Sequence, residues 1–91
     1  MNSIIVRVKK MVGSTAVSRT QAMCLCDKMK LSTFDVIYMD FLGVQSAGNG
    51  FINQIFCDFR KEHPDIRIEA INANREIQDK INTVNNENPL N

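Results

Sequence analysis

Apolar residues along the chain switch between two periods, and the switches mark the elements. Ile4, Ile5, Val6 and Val8 form a β-branched run that predicts a first strand over 4–8. The Gly13-Ser14-Thr15 cluster after it reads as a turn or as part of a short extra strand between Met11 and Val17. Ser18 is a good N-cap, and Gln21, three residues on, completes a capping box in which side chains satisfy the free N–H groups of a helix start. A helix over 19–29 follows, with Ala22, Leu25, Cys26 and Met29 on one buried stripe and Arg19, Asp27 and Lys28 toward water.

After a turn over 30–33, Phe34-Asp35-Val36-Ile37-Tyr38-Met39-Asp40 is nearly continuously apolar at its centre, as a parallel strand in the middle of a sheet is. Residues 41–44 lead the chain off that strand, and 45–50 read as a polar, glycine-bearing loop with Asn49 capping the next helix. In that helix Ile52, Ile55, Phe56 and Phe59 recur at helical spacing beside Phe51, while Asn53, Gln54, Asp58 and Arg60 form the polar side. It ends near Lys61, because His63 precedes Pro64 and is pushed out of helical geometry. Ile66, Ile68 and Ala70 alternate with charged neighbours as in a half-buried edge strand. Asn72 and Asn74 offer caps for a last helix carrying Ile77, Ile81 and Val84. The fold class is therefore α/β: one small domain over 1–84, β-α-β-α-β-α with a mainly parallel sheet, and a disordered Asn-rich tail over 85–91.

Composition narrows the functions. A length of 91 residues suits one domain with little room for an enclosed substrate cavity. Eleven basic against ten acidic side chains leave a net charge of +1, which argues against nucleic acid as a partner held by bulk electrostatics. Arg7, Lys9, Lys10 and Arg19 make a local cluster that reads as a solvated rim. No apolar run approaches the roughly 20 residues of a membrane helix, and Arg7, Lys9 and Lys10 interrupt the one stretch that resembles a signal peptide. A cytoplasmic location without membrane attachment is the expectation. Cys24, Cys26 and Cys57 are an odd number without a CxxC spacing, so free thiols are expected. Cys24 and Cys26 would stand about 200° apart on a helix, and His63 is the single histidine. No metal site and no cofactor is expected. No phosphate-binding glycine motif occurs, no thiol lies near a base, and no carboxylate pair shares a face, so the chain reads as a non-enzyme.

Five local words, in order, resemble a known family. They are Ser18-Arg19-Thr20-Gln21-Ala22, Met39-Asp40-Phe41-Leu42-Gly43-Val44, Gly50-Phe51-Ile52-Asn53-Gln54-Ile55-Phe56, His63-Pro64 and Asn72-Ala73-Asn74. Together they resemble the STAS-like domain family of unknown function, relatives of the anti-sigma factor antagonist domains, over about 8–84. The family pattern D-F-x-G-V followed by F-A-D-E is met by Asp40, Phe41, Gly43, Val44 and Phe51. Asn53 and Gln54 stand where its acidic pair stands, keeping the shape and losing the charge.

The resemblance implies a regulatory module that docks a protein partner through loop 41–50 and the second helix. The candidate partner-binding residues are Asp40, Phe41, Gly43, Val44, Ser46, Asn49, Asn53 and Gln54. The plainer reading of Asp40, Gly43 and Gly50 is that they shape a turn. In antagonist domains a phosphoserine precedes this helix, and its place falls here on Asn49. Ser46 is the hydroxyl left in the loop and the candidate phosphorylation site. A histidine-kinase-like ATPase or sigma-regulatory protein is the implied partner. Two alternatives stand beside it: a phage or mobile-element inhibitor of a host defence complex, and a small-ligand or nucleotide-binding domain. A homodimer through exposed Phe41 or Val44 is a further expectation.

Overall fold

The structure is a computed structural model that describes residues 2–16, 18–30 and 34–87. Its elements are β1 (Ser3–Arg7), α1 (Val8–Val12), β2 (Thr15–Ala16), α2 (Arg19–Lys30), β3 (Val36–Asp40), β4 (Ser46–Ala47), α3 (Asn49–Asn53), a π-helical turn (Gln54–Phe59), α4 (Arg60–Glu62), β5 (Arg67–Ile71) and α5 (Arg75–Glu87). β1, β3 and β5 form a parallel sheet in that order, with Ile4, Ile37 and Ile68 in one register row and Val6, Met39 and Ala70 in another. A second, two-stranded parallel sheet pairs β2 with β4. The small α/β architecture with helices packed on a parallel sheet agrees with the sequence reading. β3 is the central strand and β5 an edge, as the patterns of 34–40 and 66–71 require.

Strand order in the main sheet explains where the core lies. Two right-handed crossovers that step the same way, from β1 to β3 and from β3 to β5, place their helices on the same face. α2 and α5 both pack against α3 and the π-helical turn. Between this layer and the sheet lie Leu25, Cys26, Ile37, Met39, Phe51, Ile52, Ile55, Phe56, Phe59, Ile77 and Ile81, all essentially without solvent contact. Ile5, Tyr38 and Glu69 share the opposite face of the sheet.

Several boundaries differ from expectation. Val8 leaves the first strand: the register ends in the row Arg7, Asp40, Ile71, and Val8 opens α1 with its side chain fully buried. Gly13, at φ 92°, ends that helix by donating its N–H to the Lys9 carbonyl. The region expected to be polar loop contains β4, whose pairing with β2 holds the backbone extended through Gly48. Gly48 is therefore the N-cap of α3, at φ −76° and ψ 159°, and Asn49 is its first helical residue, exposed and without a capping bond. The last helix runs past Val84 to Glu87, so residues 85–87 of the expected loose tail are helical. The reason is specific: Arg60 donates to Asn85 Oδ1 at 2.7 Å and ties that turn to the body. The Met29 side chain, most of the expected turn over 30–33, Val17 and residues 88–91 lie outside the described residues.

The π-helical turn corrects one more reading. Arg60 was expected on the polar side but is only 8% exposed. A turn closed by i→i+5 bonds winds through fewer degrees per residue than an α-helical one. Six residues of it rotate Arg60 back toward the packed side, next to α5. His63 ends the segment at φ −129°, ψ 68°, with its ring 4.6 Å from that of Phe59.

A pinned turn at the carboxyl end of the sheet

The chain leaves β3 through a tight turn whose parts are each fixed by a different bond. The Val44 N–H donates to the Phe41 carbonyl at 2.9 Å, closing a four-residue turn. Gly43 sits at φ 80°, the conformation a type II turn demands at its third position and one that side chains with a Cβ resist. A Cβ there would also come within 2.7 Å of Lys9 Cδ, so the turn lies directly against α1. Asp40 Oδ1 accepts the Leu42 N–H and the Asn72 amide, each at 3.0 Å. Those two donors, Asn72 the stronger, hold the Asp40 carboxyl below its ordinary range, with Arg7 adding to the effect and partial desolvation opposing it. Asn72 reaches Asp40 from a positive φ of 58°.

Phe41 and Val44 anchor the two ends of the turn in the core. Phe41 is 1% exposed and stacks on Phe56 with centroids 6.4 Å apart, and Val44 is 4% exposed. This corrects the expectation that either presents a docking or self-pairing surface. Beyond the turn, the Gln45 N–H donates to the Ser14 carbonyl, and the Asn74 amide donates to the Gln45 carbonyl at 2.9 Å while its Oδ1 caps α5 at Ile77. Ser46 is half-buried in β4, opposite Thr15.

What this packing leaves outside is Leu42. At the apex of the turn it is 68% exposed, the most exposed large apolar side chain among the described residues. With Arg7, Lys9, Lys10 and Asp40 it lines an open cavity of about 460 Å³. Leu42 was absent from the sequence-derived candidates. The signal that finds it is Gly43: a glycine with positive φ at the third position of a turn puts the preceding residue on the tip.

The remaining candidates sit elsewhere. Asn53 and Gln54 are half-buried at the junction of α3 and the π-helical turn. Arg19 Nη1 donates to Gln54 Oε1 at 2.8 Å and to Asp58 Oδ2 at 2.6 Å, so Gln54 is committed to bracing α2. That helix opens with the expected capping box: Gln21 N–H to Ser18 Oγ at 3.1 Å, and Ser18 N–H to Gln21 Oε1 at 3.0 Å. Thus the eight candidates divide into the Asp40–Val44 turn against α1, Ser46 and Asn49 at β4 and the α3 start, Asn53 at the α3 end, and Gln54 in contact with α2. Cys24 is exposed, Cys57 half-buried and Cys26 buried, and none of the three is in a disulfide. Among the described residues no three Asp, Glu, His or Cys side chains gather as metal ligands, and no helix is long and apolar enough to cross a membrane.

The model of the STAS-like domain family of unknown function matches residues 21–78, which contain most of α2, the central strand, the pinned turn and the second edge strand. The chain belongs to that family. No curated protein and no solved structure gives a significant match. For a STAS-like domain the geometry gives the D-F-x-G-V pattern a physical content. Asp40 fixes the turn, Phe41 and Val44 fill the core, and Gly43 supplies the left-handed backbone. The variable position falls on Leu42, at the apex.

Proposed function

We propose that this STAS-like domain is a non-catalytic interaction module that recognises a protein partner through the Leu42 turn and the cations beside it. The observation that carries the reading is Leu42 itself, 68% exposed on a turn whose every other residue is held. A single exposed leucine on a mobile loop has no meaning by itself. One whose backbone is already fixed loses little backbone freedom on docking, and preorganisation is where affinity is gained. Arg7, Lys9 and Lys10 around the adjoining cavity favour a partner with an apolar pocket rimmed by carboxylates. The family suggests a histidine-kinase-like ATPase or another sigma-regulatory protein as the first partner to try.

The experiment is affinity capture from the native host with the wild-type domain, Leu42→Asp and Gln54→Lys, each checked for a native melting transition. A partner retained by Gln54→Lys and lost with Leu42→Asp fits the proposal. Retention by Leu42→Asp together with loss by Gln54→Lys assigns docking to the helix surface instead.

A further inference from the structure

β1 is the other edge of the main sheet, and its outer side meets no strand among the described residues. Natural edge strands are commonly blunted by lysine, proline or a bulge. Ser3-Ile4-Ile5-Val6 has none of these, and Ile5 is 56% exposed. Beside this edge runs an open groove of about 400 Å³. Ile4, Val6, Leu25 and Phe34 give it an apolar wall, and Met11, itself 41% exposed, lies at the α1 side. Among the described residues every charged one that lines it is a cation: Arg7 from β1, Lys10 from α1 and Lys28 from α2.

An unpaired strand edge supplies a row of backbone donors and acceptors, and the only chain geometry that uses such a row is another extended segment. A strand laid there alternates its side chains, one set onto the apolar wall on the helix side, where Lys10 of α1 and Lys28 of α2 stand, and the other onto the Ile5 face beside Arg7. Three cations without a carboxylate among the described lining residues favour an acidic segment, with acids on the second set beside Arg7 and at the ends of the first set near Lys10 and Lys28.

We propose that this groove receives an extended acidic and apolar segment of a protein partner, which pairs with β1 as a fourth strand and places its carboxylates within the field of Arg7, Lys10 and Lys28. The surface adjoins the Leu42 turn without including it. Arg7 and Lys10 border both cavities, but Ile5, Phe34 and Lys28 belong to the groove alone, so the test relies on Lys28 and leaves Leu42 untouched.

The probe is a fluorescent eight-residue peptide of alternating glutamate and valine, titrated into the full chain and followed by polarisation. Three control peptides accompany it: one with lysine for glutamate, and two N-methylated on alternate amides. Pairing with β1 predicts that one N-methylated set weakens binding ~10-fold or more while the other stays within about 2-fold, since alternate amides of a strand point to opposite sides. The lysine peptide should not bind, and Lys28→Glu, at an exposed position, should weaken the glutamate peptide by roughly 10-fold. Amide NMR shifts should move along Ser3–Arg7. Equal tolerance of both N-methylated sets, equal binding of the lysine peptide, or no binding up to millimolar concentration overturns the proposal. So does sedimentation showing a dimer that Ile5→Lys dissolves, which would mean that a second copy fills the edge. None of these outcomes bears on Leu42→Asp.

Discussion

Asp40 and Gly43 carry opposite kinds of constraint on the same turn. Asp40 works through charge: its folded carboxyl titrates below its ordinary value of 3.8 because Asn72 and the Leu42 N–H stabilise the anion. The contribution is therefore whole above that value and drains away as pH falls through the lower, folded one. Urea unfolding should find the wild type more stable than Asp40→Asn at pH 7, with the gap narrowing as pH drops below 3.8. A constant gap would mean that the carboxylate is not what matters. Gly43 works through backbone geometry, at φ 80°. Gly43→Ala should cost about 1–2 kcal/mol in the same assay, and adding Lys9→Ala should recover little of it, because the strain lies in φ and the lysine tip can move aside.

At the scale of elements, the second helical segment is where most was unreadable in the sequence. Its buried set was plain: Ile52, Ile55, Phe56 and Phe59 recur at helical spacing, and all are buried. The π-helical turn inside it was not, since one wider turn leaves the apolar spacing almost unchanged and shows itself only downstream, in where Arg60 points. Its consequence is a bond between Arg60 and Asn85 that extends α5. Arg60→Ala should destabilise the protein by about 1–3 kcal/mol and Asn85→Ala by about 1 kcal/mol, with the double variant costing less than their sum. Additivity in that cycle would separate the two residues. Similarly, β4 escaped notice because a two-residue strand carries no periodicity, whereas the Gly13-Ser14-Thr15 cluster marked the place of its partner β2 as a turn or short strand. Their pairing moved the α3 cap from Asn49 to Gly48. Gln54→Glu, which restores one acid of the family pattern beside the half-exposed Arg19 and Asp58 pair, should change stability by less than about 0.5 kcal/mol. A larger effect would give the amide a structural role beyond bracing α2.

Across the whole molecule, the parallel sheet, its central strand and the helix layer were legible because each rests on runs of apolar residues that admit one period. The candidate site was legible only in outline. Asp40-Phe41-Leu42-Gly43-Val44 marked the right turn, but exposure within it follows from turn geometry, which buries Phe41 and Val44 and expels Leu42. The near-neutral total charge hides an uneven surface, with Arg7, Lys9 and Lys10 gathered where β1 meets α1 and the Leu42 turn. The central claim is that a partner docks on that turn. It is tested most directly by titrating the captured partner into isotopically labelled domain and mapping which amide signals change. The account predicts the largest changes at Lys9, Lys10, Leu42 and Gly43, all lost in Leu42→Asp; changes centred on Asn53, Gln54 and Arg19, with the turn unmoved, would contradict it.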